Sequence, residues 1–266
     1  MDLSLIGELQ WAVTIGRFDI MTPVMTMSRF RAAPRQGHLD RLKRMYAYLR
    51  RTKTAALRIR TGEPDYDHLP KEEYDWMHSV YGDVKENLPD DAPTPLGKPV
   101  TITTYVDANL YHDLITGRAA TGVLHFLNGF PADWYSKRQA TVETATYGSE
   151  FVAARIGTEQ IIDFRITLRY LGAPVRDASF MFGDNESVVT SSTLPHSGLK
   201  KRHKPSHSTR CAKPSQRKSF VSFTSKGSTT SRIFSANIAD TLNCGPTCKC
   251  CFSNVESRMW IRLTTR

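Results

Sequence analysis

Three acidic residues stand at positions that could bring their carboxylates together. Asp107 ends a β-branched and aromatic run, Asp184 ends a short apolar run, and Glu150 heads an apolar stripe at helical spacing. Sheets flanked by helices commonly bind ligands beyond the carboxyl ends of their strands. Three converging carboxylates require a cation, and oxygen ligands favour Mg²⁺ or Mn²⁺. Such a site supports phosphodiester hydrolysis, in which one ion activates water and another stabilises the leaving oxygen.

The same three residues also have purely structural interpretations. Asp107 could be a turn residue, Glu150 a first-turn charge that interacts with the helix dipole, and Asp184 a helix N-cap. The spacing alone leaves these interpretations and the metal-site hypothesis equally open.

The order of secondary-structure patterns predicts an α/β fold around the carboxylates. Runs rich in β-branched and aromatic residues predict strands, and Asn128-Gly129 predicts a turn between two of them. A long apolar stripe that stops before Gly172 and Pro174 predicts a single long helix. The predicted order is strand 101–107, strand 121–127, strand 132–136, helix 144–171, strand 179–184 and a helix that begins near 185. This order indicates a mixed sheet with flanking helices.

Composition divides the chain into four parts. Residues 1–60 show two stretches of helical periodicity, and residues 61–98 mix acidic residues with prolines, which predicts a linker. Residues 99–199 contain the α/β pattern. Residues 200–266 are rich in Ser, Thr, Lys and Arg and have little apolar periodicity, which predicts a disordered tail.

The 266-residue chain carries a formal net charge of +10, and all of the basic excess lies in its last third. Residues 1–186 contain 22 Lys and Arg against 24 Asp and Glu, whereas residues 187–266 contain 14 against 2. No run is apolar enough to cross a bilayer, and the first residues do not begin a signal segment. We therefore expect an intracellular protein, cytoplasmic or nuclear, without a membrane partner.

Two basic regions could attract nucleic acid. The helix that carries the cations from Arg41 to Lys53 presents either a solvated face or a phosphate-binding face. Residues 200–232 contain ten Lys and Arg and no acidic residue, which favours salt-sensitive attraction to phosphates. The cysteines of the tail match no regular zinc-site spacing, so no zinc site is predicted there. They are Cys211, Cys244, Cys248, Cys250 and Cys251.

Short motifs recur around the three carboxylates in a fixed order. They are Tyr105-Val106-Asp107-Ala108, Thr116-Gly117-Arg118, Trp134-Tyr135-Ser136-Lys137-Arg138-Gln139, Ser149-Glu150-Phe151 and Phe182-Gly183-Asp184-Asn185-Glu186-Ser187. In this order and spacing they resemble the ribonuclease H domain of copia-type retrotransposon polyproteins. Upstream, Leu9-Gln10-Trp11 and Gly16-Arg17-Phe18-Asp19-Ile20 resemble the segment that ends the reverse transcriptase of those polyproteins. The resemblance covers about residues 3–203.

The resemblance implies a fold, a site and a substrate. It implies a ribonuclease H-like mixed sheet in residues 99–199, preceded by a helical remnant of the reverse transcriptase end in residues 1–60. It implies that Asp107, Glu150 and Asp184 are metal ligands and catalytic residues, with RNA in an RNA–DNA hybrid as substrate. No polymerase activity is expected, because the catalytic aspartates of the polymerase would precede Met1.

After residue 203 the resemblance stops. The family continues with a helix, a strand and a segment that supplies a fourth acidic ligand, and none of these is present in frame; Asp240 lies near the right distance but in a different local context. We interpret the tail as a shifted reading frame. Back-translated and read one nucleotide earlier, residues 205–216 and 231–241 can become segments that resemble the missing helix and the missing ligand segment.

The leading hypothesis is a truncated, frame-shifted retrotransposon fragment with an incomplete ribonuclease H-like domain. Without the fourth carboxylate we expect it to bind Mg²⁺ or Mn²⁺ weakly and to be inactive or nearly so. One alternative is an active nuclease for RNA–DNA hybrids that recruits a replacement ligand. Another is a nucleic-acid-binding protein without catalysis.

Overall fold

The chain forms two units in the computed structural model, which describes residues 3–57, 59, 61–66, 90–176, 179–193 and 220–224. The first unit contains the helices that precede residue 59, and the second contains nearly all of the sheet. Each unit has its own buried core. No helix in these described ranges combines the length and the hydropathy needed to cross a bilayer.

The helical unit consists of three α-helices and a short 3-10 turn. Helix α1 spans Leu3–Thr14, the turn spans Phe18–Ile20, α2 spans Met21–Ser28 and α3 spans Gln36–Arg51. The helical periodicity of residues 3–60 predicts these helices, because apolar residues three and four apart share one face. That face forms a core of Ile6, Leu9, Ile20, Val24, Met27, Leu42 and Met45.

In the described part of the chain the sheet has five strands in the order β3-β2-β1-β4-β5. They are β1 (Ile102–Asp113), β2 (Arg118–Leu127), β3 (Phe130–Arg138), β4 (Ser179–Gly183) and β5 (Phe220–Thr224). Strand β2 pairs antiparallel with β1, whereas β4 pairs parallel with both β1 and β5. The turn predicted at Asn128-Gly129 joins β2 to β3, and Asn128 has the positive φ of 53° that such turns require. The predicted mixed sheet with flanking helices is confirmed.

Helix α4 (Thr146–Tyr170) packs along one face of the sheet, and helix α5 (Glu186–Thr193) follows β4. The apolar stripe predicted on the long helix is buried at Ala154, Ile161 and Leu168. Gly157 allows a close approach, because a Cβ atom there would lie 2.6 Å from Cγ1 of Val106 on β1. The absence of a side chain at Gly157 lets α4 pack directly on the central strand at Val106, the residue before Asp107.

The second face of the sheet carries an aromatic cluster. The ring of Tyr105 stacks on Phe182 at 5.2 Å, and Tyr66 packs against Phe182 and Phe180 at 5.4 and 4.6 Å. The Tyr66 hydroxyl shares a hydrogen bond of 2.9 Å with Oγ1 of Thr103, and burial raises its pKa. Tyr66 belongs to the segment for which the sequence predicts a linker, yet it is part of this packing.

Strand β5 lies inside the segment for which the sequence predicts a disordered tail. Its five residues pair parallel with β4 from Ser179↔Phe220 to Gly183↔Thr224. The other tail residues for which we made predictions lie outside the described residues. These are the basic run 200–232 apart from β5, the five cysteines, Asp240 and the segments 205–216 and 231–241.

Candidate metal centre

The first two carboxylates belong to neighbouring parallel strands or to the residue directly after one. Asp107 is in β1, where it pairs with Gly122 of β2, and Asp184 directly follows β4. Strands β1 and β4 run in register up to the pair Tyr105↔Phe182, so each aspartate is two residues beyond that pair. The expectation that Asp107 ends its strand is wrong, because pairing with β2 continues to Asp113 after pairing with β4 has stopped.

The third carboxylate reaches the same place from the helix. Glu150 is in the second turn of α4 and is only 8% exposed. The backbone N–H of Ala108, the residue after Asp107, donates a hydrogen bond of 3.2 Å to Oε1 of Glu150. Because Gly157 has no side chain, α4 packs closely against Val106, and its second turn places Glu150 beside the aspartates.

The three side chains form a compact cluster of oxygen atoms. One carboxylate oxygen from each of Asp107, Glu150 and Asp184 can be chosen so that all three lie within 4.8 Å of one another. Asp107 is half-buried, Glu150 is buried and Asp184 is exposed, so the cluster opens to solvent on one side. Among the described residues no further Asp, Glu, His or Cys joins it.

The electrostatics of the cluster favour a bound cation. Burial, together with the negative charges of Asp107 and Asp184, raises the pKa of Glu150 to about 9, although the hydrogen bond from the Ala108 N–H acts in the opposite direction. Without a cation Glu150 therefore holds a proton at neutral pH. A divalent cation would neutralise the three carboxylates together, and a set of three oxygen donors suits a hard ion such as Mg²⁺ or Mn²⁺.

The burial of Glu150 follows from the side chains around it. A small cleft beside its carboxylate is lined mainly by apolar groups, among them Val106, Ala154, Met181 and Val188. Apolar walls exclude water from the carboxylate, which penalises its charged form. The same walls strengthen its attraction to a cation, because the local dielectric is low.

The structural interpretations of the three residues do not hold. Asp107 is inside a strand and not in a turn, and Glu150 lies beyond the first turn of α4. The N-cap of α5 is Asn185, whose Oδ1 accepts a hydrogen bond of 3.2 Å from the Val188 N–H, and not Asp184. The sequence did not reveal the Ala108 amide as a partner of Glu150, because a backbone N–H leaves no signal in residue type.

Comparison with protein-family models finds no match. Curated relatives are similar at low identity. A secreted RxLR effector protein 161 of Plasmopara viticola is 24% identical over 167 residues, which are 63% of this chain and 93% of that protein. A putative transposon Ty5-1 protein of Saccharomyces cerevisiae is 25% identical over 57% of this chain and 38% of that protein.

The retrovirus-related Pol polyprotein from transposon TNT 1-94 of Nicotiana tabacum is 23% identical over 186 residues. The match covers 70% of this chain and 11% of the polyprotein, so the chain corresponds to a small part of it. These matches confirm the resemblance to retrotransposon polyproteins that the motifs predicted. The copia type and the frame shift stay predictions.

Solved structures of ribonucleases H are similar to about half of this chain. The ribonuclease H1 of Halobacterium salinarum NRC-1 is 13% identical with a TM-score of 0.39, over 53% of this chain and 98% of that chain. The structure of LC11-RNase H1 in complex with an RNA/DNA hybrid is 18% identical with a TM-score of 0.38, over 47% and 85%. The sheet unit itself has the mixed α/β sheet with flanking helices that the sequence predicts.

Proposed function

We propose that the sheet unit is a ribonuclease H-like domain that holds a divalent cation weakly and binds RNA–DNA hybrids with little or no cleavage. The observation that carries this proposal is the convergence of Asp107, Glu150 and Asp184 within 4.8 Å. Asp107, Glu150 and Asp184 would hold the ion. A bound Mg²⁺ or Mn²⁺ supplies activation of water and stabilisation of a leaving oxygen in phosphodiester hydrolysis.

The low activity follows from the ligand count. Two-metal hydrolysis needs enough carboxylates to hold both ions, and three ligands leave the second ion weakly bound. The described residues contain no fourth carboxylate at the cluster. A single cation held by the three carboxylates would still attract a phosphate of the RNA strand, so binding of the hybrid and cleavage are separate properties of the proposed domain.

A direct test combines Mn²⁺ binding with cleavage of a labelled RNA–DNA hybrid. The parent is compared with the double variant Asp107→Asn, Asp184→Asn, and with Asp163→Asn as a matched control, because Asp163 is an exposed carboxylate on α4 outside the cluster. We expect Mn²⁺ binding in the parent and the control, no binding in the double variant, and little cleavage by any of them.

The other outcomes are equally informative. Cleavage by the parent and the control but not by the double variant would contradict inactivity and indicate a replacement fourth ligand. Equal Mn²⁺ binding by the parent and the double variant would contradict the metal site itself.

A second candidate function is nucleic-acid binding without catalysis, and the charge of the helical unit favours it. Residues 3–57 contain ten Lys and Arg against three Asp and Glu, whereas the described residues from 61 to 193 contain eight against thirteen. Helix α3 carries five exposed cations, and within the described residues none of them is paired with a carboxylate. They are Arg41, Lys43, Arg44, Arg50 and Arg51.

This second function predicts binding that depends on charge and not on the carboxylate cluster. Binding of duplex or hybrid would fall steeply with salt, because each phosphate contact releases counterions. It would survive Asp184→Asn and weaken in the double variant Arg44→Glu, Arg51→Glu. Replacing the Lys and Arg residues between Lys200 and Lys218 by Gln, which leaves the residues of β5 unchanged, measures how much of the affinity belongs to the basic tail.

The frame-shift interpretation has its own test. The gene must contain codons that, read one nucleotide earlier over residues 205–216 and 231–241, encode the family-like helix and ligand segment. Codons that do not read in this way would refute it.

A further inference from the structure

Gln139 is a buried amide at the start of the connection between β3 and α4. The side chain is 3% exposed, and its Nε2 donates two hydrogen bonds, one of 3.0 Å to Oγ1 of Thr121 and one of 2.9 Å to the carbonyl of Ser149. Its backbone N–H donates to the carbonyl of Ala119 at 2.8 Å. One residue therefore joins β2 to the first turn of α4.

The orientation of this amide is determined by its partners. A carbonyl such as that of Ser149 can only accept a hydrogen bond, so the NH₂ group and not the oxygen must face it. The opposite atom, Oε1, is buried without a hydrogen-bond partner. An unsatisfied buried acceptor costs free energy, and an apolar side chain of the same size would avoid that cost. The donating side of the amide is thus the reason that a glutamine fits this position.

Both acceptors belong to residues that neighbour the carboxylate cluster, one by strand pairing and one along the chain. Thr121 is the residue of β2 that pairs with Ala108, and the Ala108 N–H donates to Glu150. The other acceptor, the carbonyl of Ser149, belongs to the residue directly before Glu150. The chain of contacts from Thr121 through Gln139 to Ser149 therefore holds the strand and the helix at the separation at which the Ala108 amide reaches Glu150.

We infer that Gln139 is a positioning residue for Glu150: its amide ties the first turn of α4 to β2 and so holds this carboxylate where a cation can bridge it to Asp107 and Asp184. The inference rests on the proposed metal site. Gln139 touches neither the cation position nor a substrate, so its effect passes through Glu150. Residues that orient metal ligands commonly change metal affinity by about 10–100-fold when they are replaced.

The test uses two glutamines of the full chain. Gln139→Met keeps the volume and removes the two donated hydrogen bonds. Gln160→Met is the matched control, because Gln160 is also in the sheet unit and shares a hydrogen bond of 3.2 Å with Nε2 of His125, away from the carboxylates. Two quantities are measured in each variant: Mn²⁺ affinity by electron paramagnetic resonance, and the hydrogen-exchange rate of the Ala108 amide in the metal-free protein.

We expect Gln139→Met to weaken Mn²⁺ binding by about tenfold or more and to speed exchange of the Ala108 amide, whereas Gln160→Met changes neither. A folded Gln139→Met protein with parental affinity and parental exchange would overturn the inference. Equal effects in both glutamine variants would also overturn it, because they would reflect loss of stability alone.

One result separates this inference from the proposed function. If the parent binds no Mn²⁺, the metal site fails, and the exchange of the Ala108 amide alone decides whether Gln139 positions Glu150.

If Gln139→Met does not fold, the Thr121→Val variant is measured in its place, because it removes one acceptor with little change in shape. Weaker Mn²⁺ binding or faster Ala108 exchange in Thr121→Val would support the inference, and parental values would overturn it.

Discussion

The backbone N–H of Ala108 donates a hydrogen bond of 3.2 Å to Oε1 of Glu150, so the residue that follows one carboxylate of the cluster holds another. This hydrogen bond joins the central strand β1 to helix α4 at Glu150. It also favours the charged form of Glu150, against the effects of burial and of the two aspartates. The geometry of the site therefore depends on how α4 packs on the sheet as well as on the three acidic residues.

The metal-free protein should lose stability as the pH rises. The folded state raises the pKa of Glu150 from 4.5 to about 9, so the folded protein keeps a proton that the unfolded chain releases. The contribution is fully present below about pH 4.5 and is lost progressively until the pH passes about 9. We expect a decrease of a few kcal/mol in the free energy of unfolding over this range, measured by urea denaturation.

Glu150→Gln is the control for this dependence, because a carboxamide resembles the protonated acid and does not titrate. Its stability should vary less with pH than that of the parent over the same range. An equally steep dependence in both proteins would contradict the assignment of the titration to Glu150.

Divalent cations should stabilise the parent only slightly. A ligand that binds the folded state alone contributes RT ln(1 + [L]/Kd), which is about 1.4 kcal/mol at a tenfold excess over Kd. Because three ligands would hold an ion only weakly, we expect a small rise in Tm with millimolar Mg²⁺ or Mn²⁺ and none in the Asp107→Asn, Asp184→Asn variant. A large rise in Tm would contradict the prediction of weak binding.

Gly157→Ala should destabilise the sheet unit. The new Cβ atom would lie 2.6 Å from Cγ1 of Val106, so α4 must move away from β1. We expect a loss of about 1–3 kcal/mol and weaker Mn²⁺ binding, because the displaced helix carries Glu150 with it. Gly7→Ala is the control: Gly7 lies inside α1 with nothing within 4 Å of the added Cβ, and the change should stabilise by roughly 0.5–1 kcal/mol.

Asp113→Ala should loosen the turn between β1 and β2. Asp113 is 2% exposed; its carboxylate pairs with Arg138 at 2.6 Å and accepts hydrogen bonds from Thr116 Oγ1 and the Ile115 N–H. Its removal leaves these donors without their acceptor, so we expect a loss of about 2–3 kcal/mol in urea denaturation.

The control for Asp113→Ala is a variant that removes a more exposed ion pair on α4. Arg155 and Glu159 form a pair of 2.9 Å in adjacent helical turns, and Glu159 is 41% exposed in its side chain. Glu159→Ala should cost about 0.5 kcal/mol or less, because solvent screens the pair. Similar losses for both variants would show that the burial of Asp113 has little effect.

The hydrophobic periodicity of the sequence predicted most of the helices and strands. Strands β1 to β4 and helix α4 occur where β-branched runs and the long apolar stripe predicted them, because these patterns reflect which side of an element is buried. Two features of the packing were not predicted. Tyr66 lies in the predicted linker yet packs on Phe180 and Phe182, and β5 lies in the predicted tail yet pairs with β4.

The sequence by itself determined which three carboxylates to consider, the types of element that carry them and the kind of ion that oxygen ligands would hold. Only the tertiary structure decided that Asp107, Glu150 and Asp184 converge, that Asn185 and not Asp184 caps α5, and that Ala108 and Gln139 donate hydrogen bonds to α4. The reason is physical: local patterns record which face of an element is buried, whereas strand register, the approach of a helix and backbone hydrogen bonds arise between residues that are distant in sequence.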